Sequence, residues 1–458
     1  MAADARQPPL TFEPGAYETF RFLARELDEH GRVTLRYALD EEIFFVEEFD
    51  LPLARELEED ERERVDGLLS LLHWVAGVSY FKTALPPAIG CDSGLPPPAV
   101  ASLLEALYSE GLGELAYTNG LDGLPRPSFP SATASSHSGA AARERELRRA
   151  LVPVGGGKDS VVALEIMRRS GAELGLFSVG DAGPIARTVA VAHLPHLLAR
   201  RRLDPALAAL NNAGAINGHI PVTAIVSCAA LLTAALNGFD TVVMANERSA
   251  SSGNLSWDGV EVNHQFSKSL RAERLLRAAL GELAPGVQLF SVLRPASELA
   301  IARAFAGMEA YHGAFTSCNA LFRSDPALRA SSWCCDCPKC RFVFLALAPF
   351  STPAHLREMF GRDLLDDERQ FAGFALLTAT GGDKPFECVG EEQESLAAIR
   401  MLAADPRWSG HRVLARLLAE VLPQHPPSAG RPGEVLALSD EHDVPAAVMA
   451  DVRAVLGA

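Results

Sequence analysis

Gly155-Gly156-Gly157-Lys158-Asp159-Ser160 lies between a short apolar run, Ala150 to Val154, and a helix expected from about Ser160 to Ser170. Consecutive glycines let a backbone approach an anion closely and turn its N–H groups inward. A helix N-terminus behind them adds roughly half a positive charge. In that setting Lys158 would neutralise phosphate, Asp159 would hold Mg²⁺, and the Ser160 hydroxyl would donate to a phosphate oxygen. Two commoner patterns are excluded. The P-loop needs a glycine where Val152 stands and Ser or Thr where Asp159 follows the lysine, and the dinucleotide fingerprint needs a glycine in place of Ser160. The plainer explanation is a tight strand-to-helix turn with Asp159 or Ser160 as its N-cap.

Four of the eight cysteines crowd into residues 334 to 340. In Trp333-Cys334-Cys335-Asp336-Cys337-Pro338-Lys339-Cys340 the thiols at 334, 337 and 340 form overlapping Cys-x-x-Cys units, and Cys318 upstream completes a set of four. Tetrahedral Zn²⁺ favours four thiolates, and a filled site of that kind is structural. Cys335 could stand in for Cys334. Reduced, partly buried cysteines or a redox pair are the alternatives.

Three polar segments carry further acid/base groups: Ala245-Asn-Glu-Arg-Ser-Ala-Ser-Ser-Gly-Asn254, Val262-Asn-His-Gln-Phe-Ser-Lys-Ser269 and Lys384-Pro-Phe-Glu-Cys-Val-Gly-Glu391. His264 has an intrinsic pKa suited to proton transfer, although a lone histidine is at least as often structural. Cys388 is either a reactive thiol or a core cysteine. Lys268 and Arg248 could hold carboxylate or phosphate. Glu247 could ligate Mg²⁺ with Asp159 or pair with Arg248.

The elements that must position these groups follow a strand–helix alternation. Apolar runs at 150–154, 174–179, 197–203 and 241–245 read as strands, and 184–193 and 221–236 as helices between them, which implies a parallel sheet covered on both faces. Residues 1–120 read as an α+β N-terminal domain, with a hairpin from Arg32–Leu39 and Ile43–Phe49 and helices near 61–76 and 98–109. A Pro/Ser/Gly/Ala-rich stretch, 121–145, reads as a linker or mobile loop. The nucleotide domain is then 146–345, and 346–458 reads as mainly helical.

A chain of 458 residues implies two or three domains. The balance of 42 basic against 58 acidic residues, a formal charge of −16, disfavours nucleic-acid partners. No membrane span and no leader is read from the sequence, so the expected location is the cytoplasm. Oligomeric state is not legible.

The glycine loop resembles the Ser-Gly-Gly-x-Asp-Ser loop of the ATP-pyrophosphatase (PP-loop) superfamily, with Gly155 in place of the serine. Ile220-Pro-Val-Thr-Ala, the apolar helix after it, Gly238-Phe-Asp240, the strand 241–245 and Asn246-Glu247 resemble that superfamily's later helix–strand segment. The implied fold is an adenine nucleotide α-hydrolase-like α/β core, with Gly155, Gly156, Gly157, Lys158, Asp159, Ser160, Asn246, Glu247 and Arg248 around the nucleotide. The cysteine set resembles the zinc knot of the 7-cyano-7-deazaguanine synthases, with a longer gap before the second cysteine.

Together with Gly111-Leu-Gly-Glu-Leu-Ala-Tyr-Thr-Asn119, the polar segments make the whole chain similar to the UDP-N-acetyl-α-D-muramoyl-L-alanyl-L-glutamate epimerase family of peptidoglycan-precursor enzymes. That resemblance implies a UDP-linked muramoyl dipeptide as substrate, with ATP and Mg²⁺ consumed to release AMP and pyrophosphate. It also implies a chemical reason. A free carboxylate makes its neighbouring Cα–H a very poor acid, and adenylation removes that obstacle. Two protein groups then withdraw and return the proton, and His264, Lys268 and Cys388 are the candidates. The rival expectations are an amidating or thiolating enzyme acting on a nucleobase or tRNA, and a zinc protein that binds ATP without turnover.

Overall fold

Apolar residues fill both faces of the central strands, and two layers of helices cover them. The computed structural model describes residues 11–53, 57–132, 147–322, 330 and 332–457. Eleven strands are present among them: β1 (Thr19–Leu27), β2 (Arg32–Leu39), β3 (Ile43–Asp50), β4 (Ala88–Cys91), β5 (Arg149–Pro153), β6 (Glu173–Val179), β7 (His196–Arg202), β8 (Thr241–Met244), β9 (Leu255–Trp257), β10 (Val260–Val262) and β11 (Gln288–Ser291). Nine form one sheet in the order β11-β8-β5-β6-β7-β3-β2-β1-β4, and β9 and β10 make a separate hairpin. From β11 to β7 every pairing is parallel, whereas β7–β3, β3–β2 and β2–β1 are antiparallel. The protein is thus α/β with a large, mostly parallel sheet.

The hairpin expected in the N-terminal region is present, turning at Asp40 with a φ of 48°, but it does not build a sheet of its own. Its strand β3 pairs with β7, setting Phe49 opposite Arg201. Arg201 Nε sits 2.5 Å from the fully buried Glu47 carboxylate. A buried carboxylate needs such a partner, and removing one member of a buried pair typically costs about 3–5 kcal/mol.

Alternate residues of the parallel strands feed two cores. Leu151, Phe177, Val242 and Leu289 face one side, with helices α1 (Glu59–Ala76), α2 (Pro98–Ser109), α4 (Val222–Leu236) and α5 (Leu270–Leu283). Ala150, Val152, Leu176, Val243 and Phe290 face the other, with α3 (Lys158–Met167), α6 (Glu298–Ala306), α7 (Pro338–Leu347) and α8 (Glu392–Ala403). Burial on both faces is why these strands read as continuous apolar runs in place of an alternating pattern. The N-terminal region therefore caps one face and the helical C-terminal region the other.

Most of the expected linker, residues 133–146, lies outside the described residues. Within the part described, Phe129 is buried, its ring 5.0 Å from Tyr108 and 6.1 Å from Phe22. The helix after the glycine loop opens at Lys158, two residues before the expected start. Among the described residues no helix is long and apolar enough to cross a membrane.

Candidate active site

Strand order changes direction at β5, which has β6 on one side and β8 on the other. The crevice at the carboxyl ends of two such strands is where open α/β sheets bind ligands. The glycine loop leaves β5 there, and Ala245–Asn254 leaves β8.

Each glycine of the loop meets a different demand. Gly156 has a φ of 79°, and a Cβ on it would come within 2.7 Å of Pro184. A Cβ on Gly157 would stand 2.7 Å from the Ser317 hydroxyl, while one on Gly155 would meet nothing within 4 Å. The loop is thus pinned at two positions and open at the first. Gly157, not Asp159 or Ser160, occupies the N-cap position. The Ser160 hydroxyl donates to the Gly157 carbonyl at 3.0 Å, so it is spent locally in this structure.

The first turns of three helices send side chains into one cluster beside the loop. Lys158 opens α3, Glu298 opens α6 behind its cap Ser297, and Lys339 lies in the first turn of α7 behind Pro338. Lys158 is 1% exposed, and its ammonium bonds the carboxylates of Asp159 and Glu298. Lys339 Nζ stands 3.6 Å from the other oxygen of Glu298. Lys158, expected at phosphate, here neutralises the buried Glu298 and the partly buried Asp159, as a desolvated ammonium must be neutralised.

Burial, then the nearby Asp159 carboxylate, pushes the Glu298 carboxyl above its usual range. Burial has the same effect on Glu394, which with Glu298 and Glu391 facing it rises to about 8. Glu394 caps this end of the site, accepting from the Glu298 N–H at 2.8 Å and from the Ser249 hydroxyl at 3.1 Å.

Beside this cluster the structure brings together His264, Lys268 and Cys388. Lys268 Nζ lies 3.4 Å from the Cys388 sulfur and 3.3 Å from Gln265 Oε1. His264 Nδ1 bonds a Glu114 carboxylate oxygen, and Cys388 lies near enough to act on the charge of its ring. Burial alone would raise the thiol, but the Lys268 ammonium, then His264, bring it down to about 6. Burial likewise opposes charge on His264, yet the nearby Cys388 and the Glu114 carboxylate lift it to about 9. Lys268 lies above the usual lysine range: burial disfavours its charge, and Cys388, Glu247 and Asp159 more than offset that. It therefore feels both the thiol and the loop acids.

The remaining expected residues are placed as follows. Glu247 is 3% exposed, and its carbonyl accepts from Arg294 at 2.6 Å. Asn246 donates to the Ser291 hydroxyl at 3.1 Å. Arg248 is expected at the nucleotide, but its guanidinium donates to the Val435 and Ala437 carbonyls, tying the segment to the C-terminal region.

Cys318, Cys334, Cys337 and Cys340 bring their sulfurs within 4.8 Å of one another. The N–H groups of Cys334 and Cys340 donate to the Cys318 and Cys337 sulfurs, each at 3.4 Å, which suits thiolates. Cys335 stands apart, at a φ of 56° with its thiol 3.2 Å from the Phe360 carbonyl.

Sequence reasoning missed Glu114, His219, Glu298, Lys339 and Glu394 as site members. Glu114 and Lys339 fall inside segments singled out for other reasons. Glu298 had a local signal, an acid just after the capping serine Ser297.

Comparison with known proteins bears on the whole chain. A family model described as the MurL N-terminal domain matches residues 11–292, and one described as the MurL C-terminal domain matches 314–430. A Salinispora tropica protein named UDP-N-acetyl-alpha-D-muramoyl-L-alanyl-L-glutamate epimerase is 47% identical over 414 residues, 88% of this chain and 89% of its own. Proteins of the same name from a Micromonospora species and from Xanthomonas oryzae pv. oryzae are 45% and 42% identical, covering 93% and 97% of this chain and 96% and 98% of theirs.

Proposed function

The chain belongs to the UDP-N-acetyl-α-D-muramoyl-L-alanyl-L-glutamate epimerase family, and from that premise we propose that it inverts the terminal L-glutamate of the UDP-linked dipeptide by first adenylating its α-carboxylate with ATP. Membership in an epimerase family leaves no support for the amidating or thiolating alternatives, or for a protein that binds ATP without turnover.

The observation that carries the adenylation step is a glycine loop and helix N-terminus at the sheet's reversal point, with the Lys158 and Lys339 ammonium groups gathered there around Glu298. Such a place is built for an anion, and a triphosphate with its α-phosphorus beside the substrate carboxylate suits it. We read the region as a PP-loop core on that ground. The carboxylate oxygen attacks the α-phosphorus, the bond to the β-phosphate oxygen breaks, and pyrophosphate leaves. Asp159 in the loop and Glu298 at the start of α6, both bonded by the Lys158 ammonium, are the carboxylates that would hold Mg²⁺ once that ammonium turned to the phosphates. Bound there, the ion would offset phosphate charge.

The acyl-adenylate no longer carries a full charge beside Cα, so its proton becomes removable. Cys388 and His264 lie near enough to act on each other's charge, and the substrate Cα is placed between them, with one group on each face. Cys388 as thiolate withdraws the proton, and His264 as imidazolium returns one from the opposite side. Acid/base assistance of this kind contributes about 10²–10⁴-fold. Lys268 holds the enolate oxygen, and water then attacks the carbonyl carbon and releases AMP.

We assign Zn²⁺ to Cys318, Cys334, Cys337 and Cys340. Its part is structural, fixing the start of α7, where the Lys339 N–H bonds the Glu387 carboxylate at 3.0 Å next to Cys388.

Incubation with the L-glutamate substrate in D₂O tests the order of events. Deuterium should appear at the glutamate Cα together with AMP when ATP and Mg²⁺ are present, and not when ATP is omitted. Exchange at Cα without ATP would rule out activation by adenylation.

A further inference from the structure

Glu114 stands on a six-residue helix, Gly113–Thr118, far in sequence from the groups it meets. Its side chain is 15% exposed and bonds the ring of His264, which is 13% exposed. An ionised carboxylate can only accept, so Nδ1 of His264 carries the proton toward Glu114 and the other ring nitrogen is left to exchange one. The backbone N–H of His264 is held too, by Asn254 Oδ1 at 2.9 Å. His219 packs against the same imidazole with ring centroids 4.1 Å apart. Burial, then the neighbouring His264, lowers His219 to about 4, so it stays neutral and adds no second cation.

We propose that Glu114 is the positioning residue for proton transfer at the glutamate Cα, holding the Nδ1 side of His264 so that the other ring nitrogen is presented to the substrate. The assignment rests on the acid/base roles given above. Glu114 moves no proton itself. It stabilises the imidazolium and keeps the ring from turning. The other charged groups facing this pair are Lys268 and Lys339 on the thiol, with Asp159 and Glu247 acting on Lys268.

A divalent cation is the competing explanation, because Glu114, His219 and His264 bring three ligand atoms within 4.8 Å of one another. Two observations favour the positioning role. The carboxylate and Nδ1 are directed at each other, which uses the pair that would have to converge on an ion. The Lys268 ammonium also acts on this group of rings and would repel a cation.

Glu114→Gln and Glu114→Asp separate the outcomes. Three readouts are taken on the full chain: ATP–pyrophosphate exchange, deuterium uptake at the substrate Cα, and the pH dependence of iodoacetamide labelling at Cys388 resolved by peptide mass spectrometry. In Glu114→Gln, deuterium uptake should fall at least about 10-fold, and half-maximal labelling of Cys388 should move to higher pH. Pyrophosphate exchange should continue, and Glu114→Asp should recover part of the uptake. An unchanged labelling profile with wild-type uptake would overturn the assignment. So would loss of pyrophosphate exchange, which would make Glu114 a residue of the fold at large. A drop of one metal ion per chain in Glu114→Gln, read by elemental mass spectrometry, would replace it with a metal ligand. Absence of pyrophosphate exchange in the unaltered protein would instead overturn the adenylation step.

Discussion

Cys388 illustrates how neighbours set the chemistry of a single residue. A thiol buried among apolar groups holds its proton, whereas here an ammonium 3.4 Å away and an imidazole favour the thiolate. The same pairing keeps His264 protonated, each ion making the other cheaper to bury. The two groups titrate as a unit, so the pH profile belongs to the pair. Proton abstraction needs thiolate and imidazolium together. As pH rises through about 6 the thiol ionises and the rate should climb; as pH rises through about 9 the imidazolium is lost and the rate should fall. Deuterium uptake at Cα measured across pH should therefore give a bell with its plateau between those values. A profile rising steadily through pH 9 would contradict the imidazolium's role.

At the scale of elements, helix starts do most of the positioning. Ser297 caps α6 and Cys337 caps α7, the latter accepting from the Cys340 N–H, so one residue serves both the helix and the thiol set. This links metal to site. Cys340→Ser should lose bound zinc and lower the adenylation rate by loosening Lys339, whereas Cys335→Ser should keep its zinc, since that thiol points at the Phe360 carbonyl. Elemental analysis of the two purified variants checks both. Equal zinc loss in each would contradict the ligand set. What the sequence made legible were local features of this kind: the glycine run before a helix, the cysteine spacing, and the apolar strands at 150–154 and 241–245. The Glu114–His264, Lys158–Glu298 and Lys268–Cys388 contacts were not legible, because their partners lie 150, 140 and 120 residues apart. No period or spacing rule reaches that far. The attachment of Arg248 to Val435 and Ala437 was hidden for the same reason, since a cation beside a nucleotide-suited segment bears no local mark of it.

Across the whole molecule one sheet unites regions that composition separates. β3 joins the N-terminal hairpin to β7, and the two helical layers close opposite faces. The site draws Glu114, Lys158, His264 and Lys268 from the span matched by the first family model, and Lys339, Cys388 and Glu394 from the second; Glu298 falls between them. The groups proposed for activation and for proton transfer are in this way adjacent, with Lys268 acted on by the loop acid Asp159 and by the thiol. The order of those steps rests on the α-carboxylate itself attacking ATP. Substrate labelled with oxygen-18 in that carboxylate tests this directly, by mass spectrometry of the released AMP. Attack by the carboxylate followed by hydrolysis at the carbonyl carbon leaves a labelled oxygen in the AMP phosphate at each turnover. Unlabelled AMP, formed while the glutamate is inverted, would contradict the account.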